Sequence, residues 1–151
     1  METLTLKSNL DGFILLDSID SLKEHRISGT KYFADQTPLF CMTESMAQLG
    51  AMHFRWLIAF QRHVFFLKAG QLSFRIKNID KGYYSLDSKP EGRSEKTLAC
   101  RIAVRNAYNA LTAEGVFLFS SLSYDLAFRK EKLKSHYLRI FSCLQTNTGN
   151  D

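Results

Sequence analysis

Glu44 and Gln48 stand one helical turn apart in TPLFCMTESMAQLGAMHFRW, residues 37 to 56, where most other side chains are small, apolar or sulfur-bearing. A surface helix spreads charge over a broad polar face, whereas this stretch offers only Glu44 and Arg55. A carboxylate kept on an otherwise apolar helix can serve as a general base. Further polar candidates lie nearby in sequence. Asp35 and Gln36 are polar residues just ahead of the N-terminal end of the helix. His63 follows it and can approach the mouth of a pocket. Cys41 has no histidine close enough to favour a thiolate, so it is read as core. His53 points half a turn away from Glu44 and is read as a core or interface histidine, and His25 as a solvated residue of a charged turn. Met42, Met46 and Met52 suit a pocket for a flexible chain as well as they suit plain packing.

Positioning these groups takes a helix with two working faces. Thr37 is expected as N-cap and Pro38 as the first helical residue, with the helix running to about Gln61. At 100° per residue Met42, Met46, Leu49, His53, Trp56 and Phe60 share one side, suited to a sheet. Glu44, Gln48, Ala51 and Arg55 share roughly the opposite side, which is narrow and polar and suits a ligand or a second subunit.

Strand patterns flank the helix. FILLDSI (13–19) and ISGTKYFA (27–34) lie on either side of a charged turn at Lys23–Arg26. After the helix, QLSFRIK, YYSLDS and TLACRIAVR show strand composition, two of them with clear period-two alternation. KPEGRSEK (89–96) is expected as a polar loop, NAYN (106–109) as a turn, and ALTAEGVFLFSSLS as a long last strand. From Asp125 to Leu144, Leu133, Tyr137, Ile140, Phe141 and Leu144 recur at helical spacing, with basic residues opposite. The expected fold class is α+β: an antiparallel sheet wrapped around one long central helix, the hot-dog fold, as residues 1–124, with a basic helical tail at 125–151 packed on or extending from it.

The whole chain agrees with that scale. Its 151 residues suit one compact domain, and 45% hydrophobic with 23% charged residues is ordinary for a globular protein. No apolar run is long enough to span a membrane, and METLTLKSNLDG lacks the basic-then-apolar order of a signal peptide. Cys41, Cys100 and Cys143 are odd in number and lack metal-like spacing, so reduced thiols, a cytoplasmic location, no metal and no cofactor are expected. The net charge of +5 suggests an anionic partner. Because the positive residues are scattered outside FRKEKLKSHYLRI and the phenylalanines sit in strand-like runs, nucleic acid is not the expected one.

TESMAQLGA (43–51) resembles the central-helix motif of the β-hydroxyacyl-acyl carrier protein dehydratases, and Pro38 matches that family's helix-opening proline. FILLDSIDSL is similar to the family's first strand, and FFLKAGQLSFRIKNIDKGYYSL to its strand-turn-strand after the helix. The likeness runs over roughly residues 12 to 124. It implies Glu44 as a catalytic carboxylate, Gln48 as its polar support, an acyl carrier protein or coenzyme A thioester as partner, and a homodimer. One departure is plain. The family's H-F-P-G loop, whose histidine works with the helical Glu, has no counterpart in TKYFADQTP. Dehydrating a 3-hydroxyacyl thioester takes a base for the α-proton and an acid for the leaving hydroxyl, and Glu44 cannot stand in both places. The resemblance therefore implies a dehydratase-like acyl-thioester-binding protein of fatty-acid or polyketide-type metabolism. A thioesterase using Glu44 as base, or a catalytically silent acyl-binding subunit, stands beside it. Lys130, Lys132 and Lys134 in the tail are the expected contacts for an acidic carrier protein.

Overall fold

The structure, a computed structural model, describes residues 14–125 and 129–146. Six strands and two helices follow in the order β1 (Ser18–Lys23), β2 (Arg26–Phe33), α1 (Leu39–Leu57), β3 (His63–Phe74), β4 (Gly82–Arg93), β5 (Thr97–Asn106), β6 (Leu111–Leu122) and α2 (Lys130–Thr146). The strands form one antiparallel sheet in the order β1-β2-β4-β5-β6-β3. Helix α1 lies against β2, β3, β4, β5 and β6, and α2 touches the two edge strands, β1 and β3. The class is α+β, as expected.

Alternation makes the sheet one-sided. Leu98, Cys100, Ile102 and Val104 of β5 are fully buried, as are Phe117 and Phe119 of β6 two residues apart. These side chains meet Met42, Met46, Leu49 and Phe54 of α1, all without solvent exposure, in one core. Close approach of helix to sheet depends on Gly50. A β-carbon built there would come within 2.6 Å of the Phe119 ring and 3.1 Å of Ile102. Gly50→Ala is therefore expected to lower thermal stability, by about 1–3 kcal/mol of overpacking set against a helix-propensity gain of about 1 kcal/mol. A melting temperature equal to or above wild type would show that α1 can lift off Phe119 freely.

Several boundaries differ from the sequence expectation for local reasons. The first strand begins at Ser18, not Phe13, which lies outside the described residues. Leu15 and Leu16 are buried ahead of it, and the Leu15 N–H donates to Gln48 Oε1 at 2.8 Å rather than to a neighbouring strand. The N-cap is Pro38 (φ −63°, ψ 150°), with no side-chain capping bond. Thr37 is drawn off instead into a two-way backbone bridge with Ile79, at 2.8 and 2.9 Å, and its hydroxyl donates to the Asp35 carbonyl. The helix stops at Leu57, short of Gln61, because Ala59 and Phe60 adopt positive φ angles of 52° and 58°. QLSF is the end of a longer strand that already begins at His63, and RIK lies beyond it; pairing with β6 is interrupted by irregularities after Phe66 and after Gly70. Most of KPEGRSEK is strand rather than loop: β4 pairs with β5 as far as Arg93 by taking up an irregularity between Pro90 and Gly92.

The tail helix begins at Lys130 among the described residues. Ile140, Phe141 and Leu144 enter the same core as the sheet, and Phe141 meets Phe60 edge-on at 5.5 Å between ring centres.

Candidate functional site

The polar face of α1 is not left open along its length. Glu44 is exposed and Gln48 half-buried, but Ala51 and Arg55 farther along are buried. Helix α2, reaching from one edge of the sheet to the other, covers that end. Between α1, α2, the start of β3 and the segment at Ile14–Leu16 lies a cavity of about 500 Å³. Glu44, Gln48, Met52 and Arg55 line it from α1, His63 and Phe66 from β3, and His136, Tyr137, Ile140 and Leu144 from α2.

At one end stands the carboxylate. Gln48 Nε2 donates to Glu44 Oε1 at 3.1 Å while Gln48 Oε1 accepts the Leu15 N–H at 2.8 Å. The amide is thus oriented by the backbone and presents a donor to the Glu44 carboxylate. Among the described residues Gln48 is the hydrogen-bond partner of Glu44.

The other end is cationic, and eleven residues along the helix place it roughly 16 Å away. Arg55 is 8% exposed. Its Cζ lies 3.6 Å from the centre of the Tyr137 ring, and Nη2 donates to the Val64 carbonyl at 3.2 Å. Burial pulls the guanidinium below its ordinary pKa, with Tyr137 and Tyr124 opposing the shift. His63 and His136 stand at this end. Burial first, then the positive charge of Arg55, lowers the pKa of His63. Burial, then Arg139 and Arg55, lowers that of His136.

The sequence candidates therefore separate. Glu44, Gln48 and His63 share one cavity, but His63 neighbours Arg55 and so stands away from Glu44. Asp35 and Gln36 are exposed in the loop before α1 and are not part of the lining. His53 faces the core: it is fully buried, and its Nε2 donates to the Lys23 carbonyl at 2.7 Å. Lys130 and Lys132 are exposed on α2, and Lys134 is half-buried. The three cysteines are free, and burial pushes the Cys100 thiol up to about 11, which makes it a poor nucleophile. No group of three His, Cys, Asp or Glu side chains among the described residues could hold a metal. Sequence reasoning placed Arg55 on the right face without giving it a role, named Tyr137 only as part of the tail's apolar stripe, and passed over His136. A lone arginine on the same helix face as Glu44 was the available signal. The two α2 residues had none, because their relevance comes from where α2 docks.

No family model and no curated protein matches the chain. Solved structures do. The dehydratase heterocomplex ApeI:P from Xenorhabdus doucetiae superposes with a TM-score of 0.66 at 10% identity, over 76% of this chain and 86% of that one. A thioesterase from Haemophilus influenzae gives 0.60 at 13% identity, over 70% and 77% of the two chains. A hypothetical thioesterase from Streptococcus pneumoniae, solved with coenzyme A, gives 0.57 at 8% identity, over 70% and 85%. Likeness at these identities is likeness of fold, and it agrees with the hot-dog-like architecture expected from the sequence.

Proposed function

We propose that this chain is a dehydratase-like acyl-thioester-binding protein: a hot-dog domain with α1 at its centre, whose cavity takes the acyl chain and whose Glu44 faces the thioester end. The observation that carries the reading is the Glu44–Gln48–Leu15 relay at one end of a mostly apolar cavity of about 500 Å³, a size suited to a small-molecule ligand. The shared fold with thioesterases and with a dehydratase heterocomplex supports it. Glu44 accepts a proton, and Gln48 keeps the carboxylate turned toward the cavity. Among the described residues the imidazoles lining the cavity, His63 and His136, stand beside Arg55, so on this reading the chain alone holds one half of a dehydration site. Hydrolysis is the second reading, since one exposed carboxylate can activate water without a second group.

The basic face of α2 would steer an acidic acyl carrier protein to the cavity, with Lys130, Lys132 and Lys134 as its contacts. We place a second copy of the chain on the outer edge of β3, where Phe66 and Leu67 are 40% and 48% exposed, because an open edge strand invites pairing. Light scattering that returned a monomer at micromolar concentration would remove that copy. No helix among the described residues is long and apolar enough to cross a membrane, and a cytoplasmic location is part of this proposal.

Presenting 3-hydroxyacyl and saturated acyl thioesters, on carrier protein and on coenzyme A, tests the reading. Binding of both acyl types is expected, with little or no enoyl product. Carrier-protein binding is expected to weaken as salt rises and again when the three lysines become Glu. Failure to bind either thioester overturns the reading. Robust enoyl formation by the purified chain overturns the missing acid. Binding indifferent to salt and charge reversal makes α2 structural only, with coenzyme A the better carrier.

A further inference from the structure

A guanidinium taken out of water needs an anion or a full set of acceptors, or it costs several kcal/mol. Arg55 has neither. Among the described residues no carboxylate pairs with it, and its Nε is buried with no hydrogen-bond partner. The Tyr137 ring and the Val64 carbonyl offset part of the cost and leave the rest. The ring covers one face of the guanidinium, whereas a carboxylate binds in the guanidinium plane, along the edge that carries Nε. Stacking and anion binding are therefore compatible at this residue.

We propose that the Arg55 end of the cavity binds the carboxylate of an aliphatic monocarboxylic acid, whose chain lies along α1 among Leu16, Met52, Ile140 and Leu144. The charge of the site selects a monoanion. Among the described residues Arg55 is the single Lys or Arg in the lining, and the two histidines beside it are disfavoured as cations by burial and by the positive charge of Arg55, with Arg139 acting on His136 ahead of Arg55. One positive charge balances a carboxylate and leaves a phosphate dianion half-compensated in a poorly solvated space. Because Nε is closed to solvent, the ligand must displace what covers it. Helix α2 is the element able to yield, since it rests on the two sheet edges rather than within the sheet. The assignment stands whatever Glu44 does, at the far end of the same helix face.

Calorimetric titration of the full chain with decanoate, decanol and decyl phosphate tests it. Decanoate is expected to bind at least about tenfold more tightly than either of the others, a difference of about 1.4 kcal/mol. Arg55→Met should abolish the preference for the acid over the alcohol, and Arg55→Lys should retain part of it. Exchange of a buried charge for an apolar side chain of similar length is commonly neutral or stabilising, so Arg55→Met should fold. If it does not, the wild-type comparison decides alone. Equal binding of decanoate and decanol, tighter binding of decyl phosphate, no binding of decanoate, or a preference that survives Arg55→Met would each overturn the proposal.

Discussion

Glu44→Gln is expected to abolish whatever turnover of acyl thioesters the chain shows, while leaving their binding nearly unchanged. The substitution keeps the shape of the side chain and an oxygen that can accept from Gln48 Nε2, but it removes the group that takes a proton. General-base assistance is worth about 10²–10⁴-fold in rate, and a loss of that order is expected. Stability should move by no more than about 0.5 kcal/mol, because Glu44 is exposed and its neighbour contact is preserved. The companion substitution Gln48→Leu acts differently. It frees the carboxylate and also strips the Leu15 N–H of its acceptor, so it should cost both activity and stability. Thiol release or enoyl formation measured alongside a thermal melt separates the two. A Glu44→Gln variant with full activity would take the carboxylate out of the mechanism.

Acid should unfold the protein over a window set by histidines rather than by carboxylates alone. His53 shows why. Its Nε2 hydrogen is committed to the Lys23 carbonyl, so Nδ1 is the atom that must accept a second proton, and Nδ1 is buried without a partner. Burial lowers its pKa against the pull of the Lys23 carbonyl, with Arg93 and His25 lowering it further. His63 and His136 shift in the same direction. The unfolded chain then binds more protons than the native one below about pH 6.5, and stability falls as pH drops through that value toward the lowered native pKa. The slope for His53 approaches about 1.4 kcal/mol per pH unit at most, and His63 and His136 add to it in the same direction. Urea melts at pH 7.5 and 5.5 should show a clear loss, reduced in His53→Gln, which keeps a donor for Lys23 and cannot charge. Equal stability at the two values would mean that these histidines titrate as they do in water.

The extent to which the site was legible follows from what each pattern reports. Helical periodicity put Glu44, Gln48, Ala51 and Arg55 on one face of α1 and Met42, Met46 and Leu49 on the other, and the structure keeps that division. Period-two alternation found the buried sides of β5 and β6, and the turn at Lys23–Arg26 lies where charge and composition placed it. Boundaries were less legible. Thr37 has the composition of an N-cap but spends its backbone on Ile79, far along the chain, and a distant partner leaves no mark on local propensity. The same holds for Leu15, whose extended segment bonds to a helix side chain in place of a strand.

The sequence alone determined that one helix carries a lone carboxylate with an amide a turn away, that a one-sided antiparallel sheet packs against the helix's apolar face, and that a basic amphipathic tail follows. These are properties of spacing and polarity, which short stretches of chain carry in themselves. Only the tertiary structure decided the sheet order, with β3 beside β6 at an edge, and the docking of α2 across the two edges. That docking turns one end of the helix's polar face from a surface into a cavity. It places Tyr137 on Arg55 and brings His136 to the same end as His63, while Glu44 stays exposed at the other end. Periodicity states which residues share a face; what covers the face, and therefore which charge is buried, is settled by contacts between elements that no local pattern records.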